Sequence, residues 1–425
     1  MTLAPCLAST GFSGLSLLLL SLVLIAGGAL ALRSAKLRAS LMSIALVGGL
    51  LTLGAATARP AAAACSASLL PTAATSTTTT APPVSSAALS AGAAYLANEV
   101  NADGSVDSSG VASYGVTVQT LIALAASNDT SSPVEAAISR SASYLAANWN
   151  NYALLSPSTW AGLCVTDVPS VNSYSAMNLG YLLLAAVTTN NPALNTLKTT
   201  FVADIEATQQ TSSGSNPYYF GACVNQYAGV QSQSVVVDAL RLNGMPASNS
   251  ILTNAVTWLV AQQCSGVDAG VNGGFSSDII DNPCTGVTPS TGNYVGPDTN
   301  STGYALLALA AMGEPSSSAV PAAALGYLQN NETSPSGWGY YNGNAVDSNS
   351  TGVVISGLLA MGQRMSASTG IWAVGGVSPL ATLATFQVID AGANSGGFFY
   401  QAGSLPDPIS TYVAVVALSG QAVPS

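Results

Sequence analysis

The sequence predicts an all-α fold, an (α/α)6 toroid of six helical hairpins, and three observations predict it. The first is an internal repeat, the feature that most constrains architecture. Asp298-Thr-Asn-Ser-Thr-Gly and Asp347-Ser-Asn-Ser-Thr-Gly stand 49 residues apart. Each opens an apolar run that ends in Met-Gly, at Gly313 and Gly362. A third copy starts at Asp407, and weaker copies start at Ser113, Ser173 and Ser232. The second observation is that all six segments begin with Ser or Asp in the manner of a helix N-cap and then run apolar on nearly every face, as a fully buried helix does. The third is the set of intervening stretches, 88–98, 134–149, 194–210, 251–264, 319–331 and 378–390, whose mixed polarity suits helices with one face in water. Four of these carry an aromatic-Leu pair, at Tyr95, Tyr144, Trp258 and Tyr327. Six apolar helices starting near 113, 173, 232, 301, 350 and 410 form the expected inner ring, and the mixed ones form the outer ring. An open solenoid is the structural alternative.

Composition narrows the chemistry. The chain has 425 residues, of which 49% are hydrophobic and 6% charged. All eighteen Asp and Glu residues fall at or after Glu99, against four basic residues in that region. A domain so acidic repels phosphate, which excludes nucleic-acid binding. The absence of histidine excludes His general bases, Ser-His-Asp triads and His-bearing zinc sites.

The domain plan has three parts. Residues 1–65 form a hydrophobic targeting or transmembrane region. Residues 12–32 carry no charge and, at ~1.5 Å rise per residue, reach the ~30 Å of a bilayer core. Arg33, Lys36 and Arg38 follow, and then a second uncharged stretch, Ala39 to Ala58. Either the basic residues open a cleaved signal peptide or both stretches span and the basic turn stays cytoplasmic. Both readings place the remainder outside the cytoplasm, membrane-tethered or secreted. Lipidation of Cys65 is left open. Residues 66–87, all Ser, Thr, Ala, Pro and a few aliphatics, read as an extended linker. Residues 88–425 are the toroid.

Each late repeat is preceded by a glycine turn with aromatics: Gly273-Gly274-Phe275, Gly337-Trp338-Gly339-Tyr340 and Gly396-Gly397-Phe398. That turn, leading into D-x-x-S-T-x-x-A-x-x-A-L, resembles the superfamily of squalene cyclases, protein prenyltransferase β-subunits and the intrinsic factor–transcobalamin proteins. The run from Ser301 to Leu309 looks most like the cobalamin-carrier branch, and that resemblance implies a corrinoid as ligand. The catalytic branches fit less well. Where a prenyltransferase has its D-x-C zinc element, this chain has Asp298 and Asn300. No D-x-D-D acid cluster of the cyclase type occurs, and Asp278 and Asp281 read as loop residues.

The sequence therefore leads to the expectation of a non-catalytic toroid with no metal and no cofactor beyond a bound corrinoid, taking a small molecule or a surface component. A terpenoid-cyclase- or prenyltransferase-like enzyme and a structural cell-surface protein are the alternatives. Long loops on a rigid scaffold tend to carry binding. The expected site is the mouth above the inner-helix N-termini, walled by Trp160, Tyr219, Phe275, Trp338, Tyr340 and Phe398, with Asp298 and Asp347 at its rim. Those aspartates read equally as helix caps, and those aromatics as packing plugs. Two disulfides, Cys164–Cys223 and Cys264–Cys284, are expected of a domain in an oxidising compartment.

Overall fold

A computed structural model describes residues 86–161, 173–210, 219–221, 229–265, 270–277, 284, 296–341 and 343–424. The hydrophobic stretches 12–32 and 39–58, Cys65, most of the linker, Cys164, Cys223, Asp278 and Asp281 lie outside the described residues. Within them, twelve helices alternate between two rings. In chain order they are α1 (Ser86–Glu99), α2 (Tyr114–Ala126), α3 (Ser132–Ala153), α4 (Ala176–Thr189), α5 (Lys198–Ala207) and α6 (Val230–Leu242). The second half supplies α7 (Ser250–Val260), α8 (Thr299–Ala311), α9 (Ala319–Asn330), α10 (Ser348–Ala360), α11 (Pro379–Ala384) and α12 (Pro408–Ser419). No helix among the described residues is long and apolar enough to cross a membrane.

The even-numbered helices form the inner ring. Each packs on the next, α2 on α4, α4 on α6, α6 on α8, α8 on α10 and α10 on α12, and α12 returns to α2. The ring is closed, which decides against an open solenoid. Odd-numbered helices sit outside, with α1 against both α12 and α2, α7 against α6 and α8, and α11 against α10 and α12. Inner helices start within three residues of the positions the repeat predicts. The outer stretch 378–390 is shorter than expected. After Ala384 the chain leaves the helix, and the Val388 N–H donates to Gly397 O at 2.9 Å. Two-residue ladders that the sequence reading does not anticipate also tie loop ends together, for example Phe275–Ser276 with Pro297–Asp298.

One local unit recurs at the inner-helix starts and explains the D-x-x-S-T pattern. Asp298 has extended backbone, and its carboxylate accepts from the Ser301 N–H at 2.6 Å and the Ser301 hydroxyl at 2.7 Å. Asp347 does the same with Ser350, and Asp407 with Ser410. The following threonine works in the opposite direction. Thr302 Oγ1 donates to Asp298 O and accepts from the N–H of Phe275, 27 residues earlier. Thr351 accepts likewise from Trp338, and Thr411 from Phe398. A helix cap and a loop anchor are thus built from consecutive side chains, and each relieves a backbone group that burial would leave unpaired.

A second device joins neighbouring hairpins. Gln209, Gln263 and Gln387 donate through Nε2 to the first turn of the next outer helix, at Ile251 O, Val320 O and Ala88 O, each at 2.8–2.9 Å. The glycine turn beside the last of these is forced into place. Gly396 has φ +86, and a Cβ there would meet Ala91 O of α1 at 2.2 Å. Inner helices also approach closely, since a Cβ on Gly357 of α10 would lie 2.4 Å from Gly303 O of α8. The bond between Cys264 and Cys284 is present, with Cα atoms 5.3 Å apart.

Two outcomes are expected. Gln387→Ala removes the bonds to Ala88 O and Gly396 O. At about 1 kcal/mol for each bond, with the orphaned Gly396 carbonyl adding to it, urea unfolding should show a loss of about 2–3 kcal/mol. A loss below about 0.5 kcal/mol would show that the joint carries no stability. The second outcome concerns pH. Burial pushes the carboxyls of Asp298 and Asp347 up to about 6 from 3.8, against the pull of their Ser partners. The native state then holds these protons more tightly than the unfolded chain does. Their contribution is complete below about pH 3.8 and is lost as pH rises through about 6. Stability should fall across that window by roughly 2–3 kcal/mol per carboxyl. Asp298→Asn/Asp347→Asn keeps the caps and should flatten the slope; an unchanged slope would refute the assignment.

Candidate functional site

Counting from the cap residue of each inner helix shows which side chains meet the ring axis. The second position after the cap gives Gln231, Asn300, Asn349 and Ile409, and the sixth gives Gln119, Tyr304, Val353 and Val413. All eight line one cavity of about 260 Å3 at the N-terminal end of the inner ring. Asp298, Ser301, Tyr340 and Tyr412 complete much of its wall, with Gly229 and Val230 at the start of α6. Residues from five inner helices meet there by their first two turns, so those five helices run in the same direction.

Apart from Asp298, the cavity is polar without being charged. Gln231 Nε2 donates to the hydroxyls of Tyr181 at 3.2 Å and Tyr304 at 3.1 Å. Gln119 also bonds the Tyr181 hydroxyl, and the phenols of Tyr152 and Tyr412 lie close by. Burial holds the phenols of Tyr152, Tyr181 and Tyr412 above the ordinary tyrosine range, so they stay protonated as donors and acceptors. The one acid on the wall, Asp298, is engaged by Ser301 and by the Tyr340 hydroxyl. Its charge beside Tyr340, with burial, pushes that phenol far up in turn.

Helix N-termini attract anions when their N–H groups are free. Here Ser113, Ser175, Asp298, Asp347 and Asp407 cap five of the six inner helices through their side chains. Helix α6 begins at Gly229 with no side-chain cap, and its first residues are the ones that line the cavity. The inner-helix N-termini are thus answered from within rather than left as a broad anion-binding field, and the first N–H of α6, on Val230, donates to Ser277 O at 2.8 Å.

Of the eight residues expected from sequence, the structure brings Asp298 and Tyr340 to this cavity. Asp347 caps α10 and bonds Tyr400 beside it, off the cavity wall. Phe275, Trp338 and Phe398 are fully buried and line no part of this cavity, so the structure places them in the core. The physical reason is the threonine anchor, which fixes each backbone N–H against an inner helix and turns the ring into the layer between helices. Trp338 is held further by its indole N–H, which donates to Leu328 O at 2.9 Å. Tyr219 is buried against Trp258, and Trp160 is buried in a one-turn helix, Pro157–Trp160. The residues that sequence reasoning passed over are Gln119, Tyr181, Gln231, Tyr304 and Tyr412. The repeat register carried the signal, because Gln119, Tyr181 and Tyr304 each stand six residues after a cap. Among the described residues no group of three His, Cys, Asp or Glu side chains is placed to hold a metal ion.

No protein-family model matches the chain. No curated relative matches it either. Among solved structures it is similar to Candida albicans protein geranylgeranyltransferase-I complexed with GGPP, with a TM-score of 0.46 and 12% identity, over 72% of this chain and 83% of that one. A likeness that distant carries no argument about chemistry, and the ring is defined by its own helix contacts.

Proposed function

We propose that the protein is an exported, non-catalytic binding module that takes a small, uncharged, hydroxyl- or amide-bearing molecule at the N-terminal mouth of its inner ring. The observation that carries this reading is the wall itself: two glutamines, two asparagines and three tyrosines face the cavity, and the one carboxyl there is occupied by its cap. Amides and phenols supply donors and acceptors at fixed positions, which suits a ligand recognised by hydrogen bonds rather than by charge. The volume, about 260 Å3, lies just below the ~300–1,000 Å3 usual for drug-sized ligands. A corrinoid is larger than this space and would have to lie across the mouth, so a molecule of monosaccharide size is preferred. The bond between Cys264 and Cys284 supports export, because disulfides persist in oxidising compartments. Membrane tethering rests on the uncharged stretches 12–32 and 39–58. A ring with an open cavity at its axis also argues against a filled, purely structural role.

A second reading has one observation in its favour. Asp298 is a buried carboxyl, raised to about 6, on the wall of the cavity. An acid of that kind serves general-acid chemistry of the cyclase type. Both of its oxygens are already bonded by Ser301 and Tyr340, which supports the capping role instead.

The test is a panel of monosaccharides, N-acetylated sugars and small amides, read by thermal shift and then calorimetry. A neutral member should bind, with Gln231→Ala and Tyr304→Phe each weakening it about tenfold, or 1.4 kcal/mol. Asp298→Asn should change that affinity by less than about threefold, since the cap survives. Preferential binding of anions or cations, or insensitivity to both variants, would sink the proposal. Turnover of a bound compound that Asp298→Asn abolishes would establish the second reading.

A further inference from the structure

The opposite end of the inner ring carries a feature that the mouth does not explain. A second cavity, also of about 260 Å3, is lined by Asp238, Arg241 and Leu242 of α6, Leu307, Ala310 and Ala311 of α8, Ala360 and Ala422. These are the last turns of the inner helices, so the site is remote from the mouth. Apart from Asp238 and Arg241, its wall is aliphatic.

Asp238 is out of character for its position. It stands nine residues after the cap of α6, where the other inner helices place Ile122, Leu184, Leu307, Ser356 and Val416. It is 2% exposed, and its Oδ2 has no hydrogen-bond partner. Burial pushes its carboxyl well above the usual carboxylate range. The helices packed on α6, namely α4, α7 and α8, carry no charged side chain, which leaves Arg241, one turn on, as the neighbouring charge. The two do not form an ion pair. Arg241 instead donates through Nε to Ala311 O at 2.9 Å and through Nη1 to Met245 O. An ionised carboxylate in so dry a place would pair with that guanidinium. The separation leaves a site of net positive charge, with an unused carboxyl oxygen beside it. Arg241 also neutralises the last carbonyl of α8, so the C-terminal partial charge there is offset.

We propose that this cavity is a second binding site, for a small aliphatic carboxylic acid whose carboxylate sits between the Arg241 guanidinium and the Asp238 carboxyl. Guanidinium pairs with carboxylate through charge-assisted bonds, and the Asp238 carboxyl adds an O–H donor to the same group. The alkyl chain of the ligand lies against Leu307, Ala310 and Ala360. Leu242, 43% exposed at the rim, marks the way in from solvent. The site is independent of the mouth and of its proposed ligand.

Three isosteric probes, butyrate, butyramide and butylammonium, distinguish the outcomes on the unmodified protein. Millimolar butyrate should raise the unfolding temperature and shift the resonance of its 13C-labelled carboxyl, while the amide and the ammonium do neither. Arg241→Gln should weaken butyrate by about tenfold or more. Asp238→Asn, which keeps a donor, should retain most of the affinity, and Ala310→Leu should abolish binding by filling the cavity. Circular dichroism confirms that each variant folds, and the probe series on the native chain needs no variant. Gln231→Ala, at the mouth, should leave butyrate untouched. Preference for butylammonium, no response to butyrate, or a response unaltered in a folded Ala310→Leu or Arg241→Gln protein would each overturn the proposal.

Discussion

The ring rests on a contact made at three of its outer joints: a glutamine just past the end of one outer helix reaching the first turn of the next. Glutamine is suited to this because its amide bridges two carbonyls at once. Gln263 holds Gly273 O and Val320 O, and Gln387 holds Gly396 O and Ala88 O. Each amide ties a loop carbonyl to the first turn of a neighbouring outer helix, so the joint is specific as well as stabilising. The inner ring is close-packed as well: Gly303 and Gly357 meet backbone to backbone, with no room for a side chain between α8 and α10.

Much of this was legible in the sequence because the repeat encodes it in side chains. Asp298, Ser301 and Thr302 recur as a group because a cap needs an acceptor, the first turn needs its donors answered, and the loop needs an anchor. Their recurrence at Asp347 and Asp407 located the starts of the inner helices. The site was less legible. Aromatic residues that recur in loops suit a ligand wall and a packing plug equally well, and composition alone does not separate the two. The separating fact for Trp338 and Phe398 is the hydrogen bond from each backbone N–H to a threonine 13 residues later, which is a matter of three-dimensional register. Gln119 and Gln231 drew no attention because neither belongs to the strong repeats.

The two ends of the inner ring differ in a way that follows from helix polarity. At the N-terminal end the positive ends of the helices are answered from within, by serines and aspartates, and the exposed chemistry is left to neutral amides and phenols. At the C-terminal end one arginine answers a carbonyl of the neighbouring helix, and an aspartate stands in a column that is otherwise uncharged. A scaffold repeated six times thus acquires its chemistry from the positions where one copy departs from the others: Gly229 in place of a capping side chain, Asp238 in place of an aliphatic.

The joint between Gln387 and Ala88 spans 299 residues, whereas the equivalent joints inside the ring span tens. Pairing so distant in sequence is slow, because the entropy of closing a long loop is spent before any contact is made. Until it forms, the chain is an open arc with a free face on α1 at one end and a free glycine turn at the other. A second arc offers the same two faces, and nothing in the joint distinguishes a partner in the same chain from one in another. Exchange between chains is then the natural competitor of closure, and by mass action it gains ground as concentration rises.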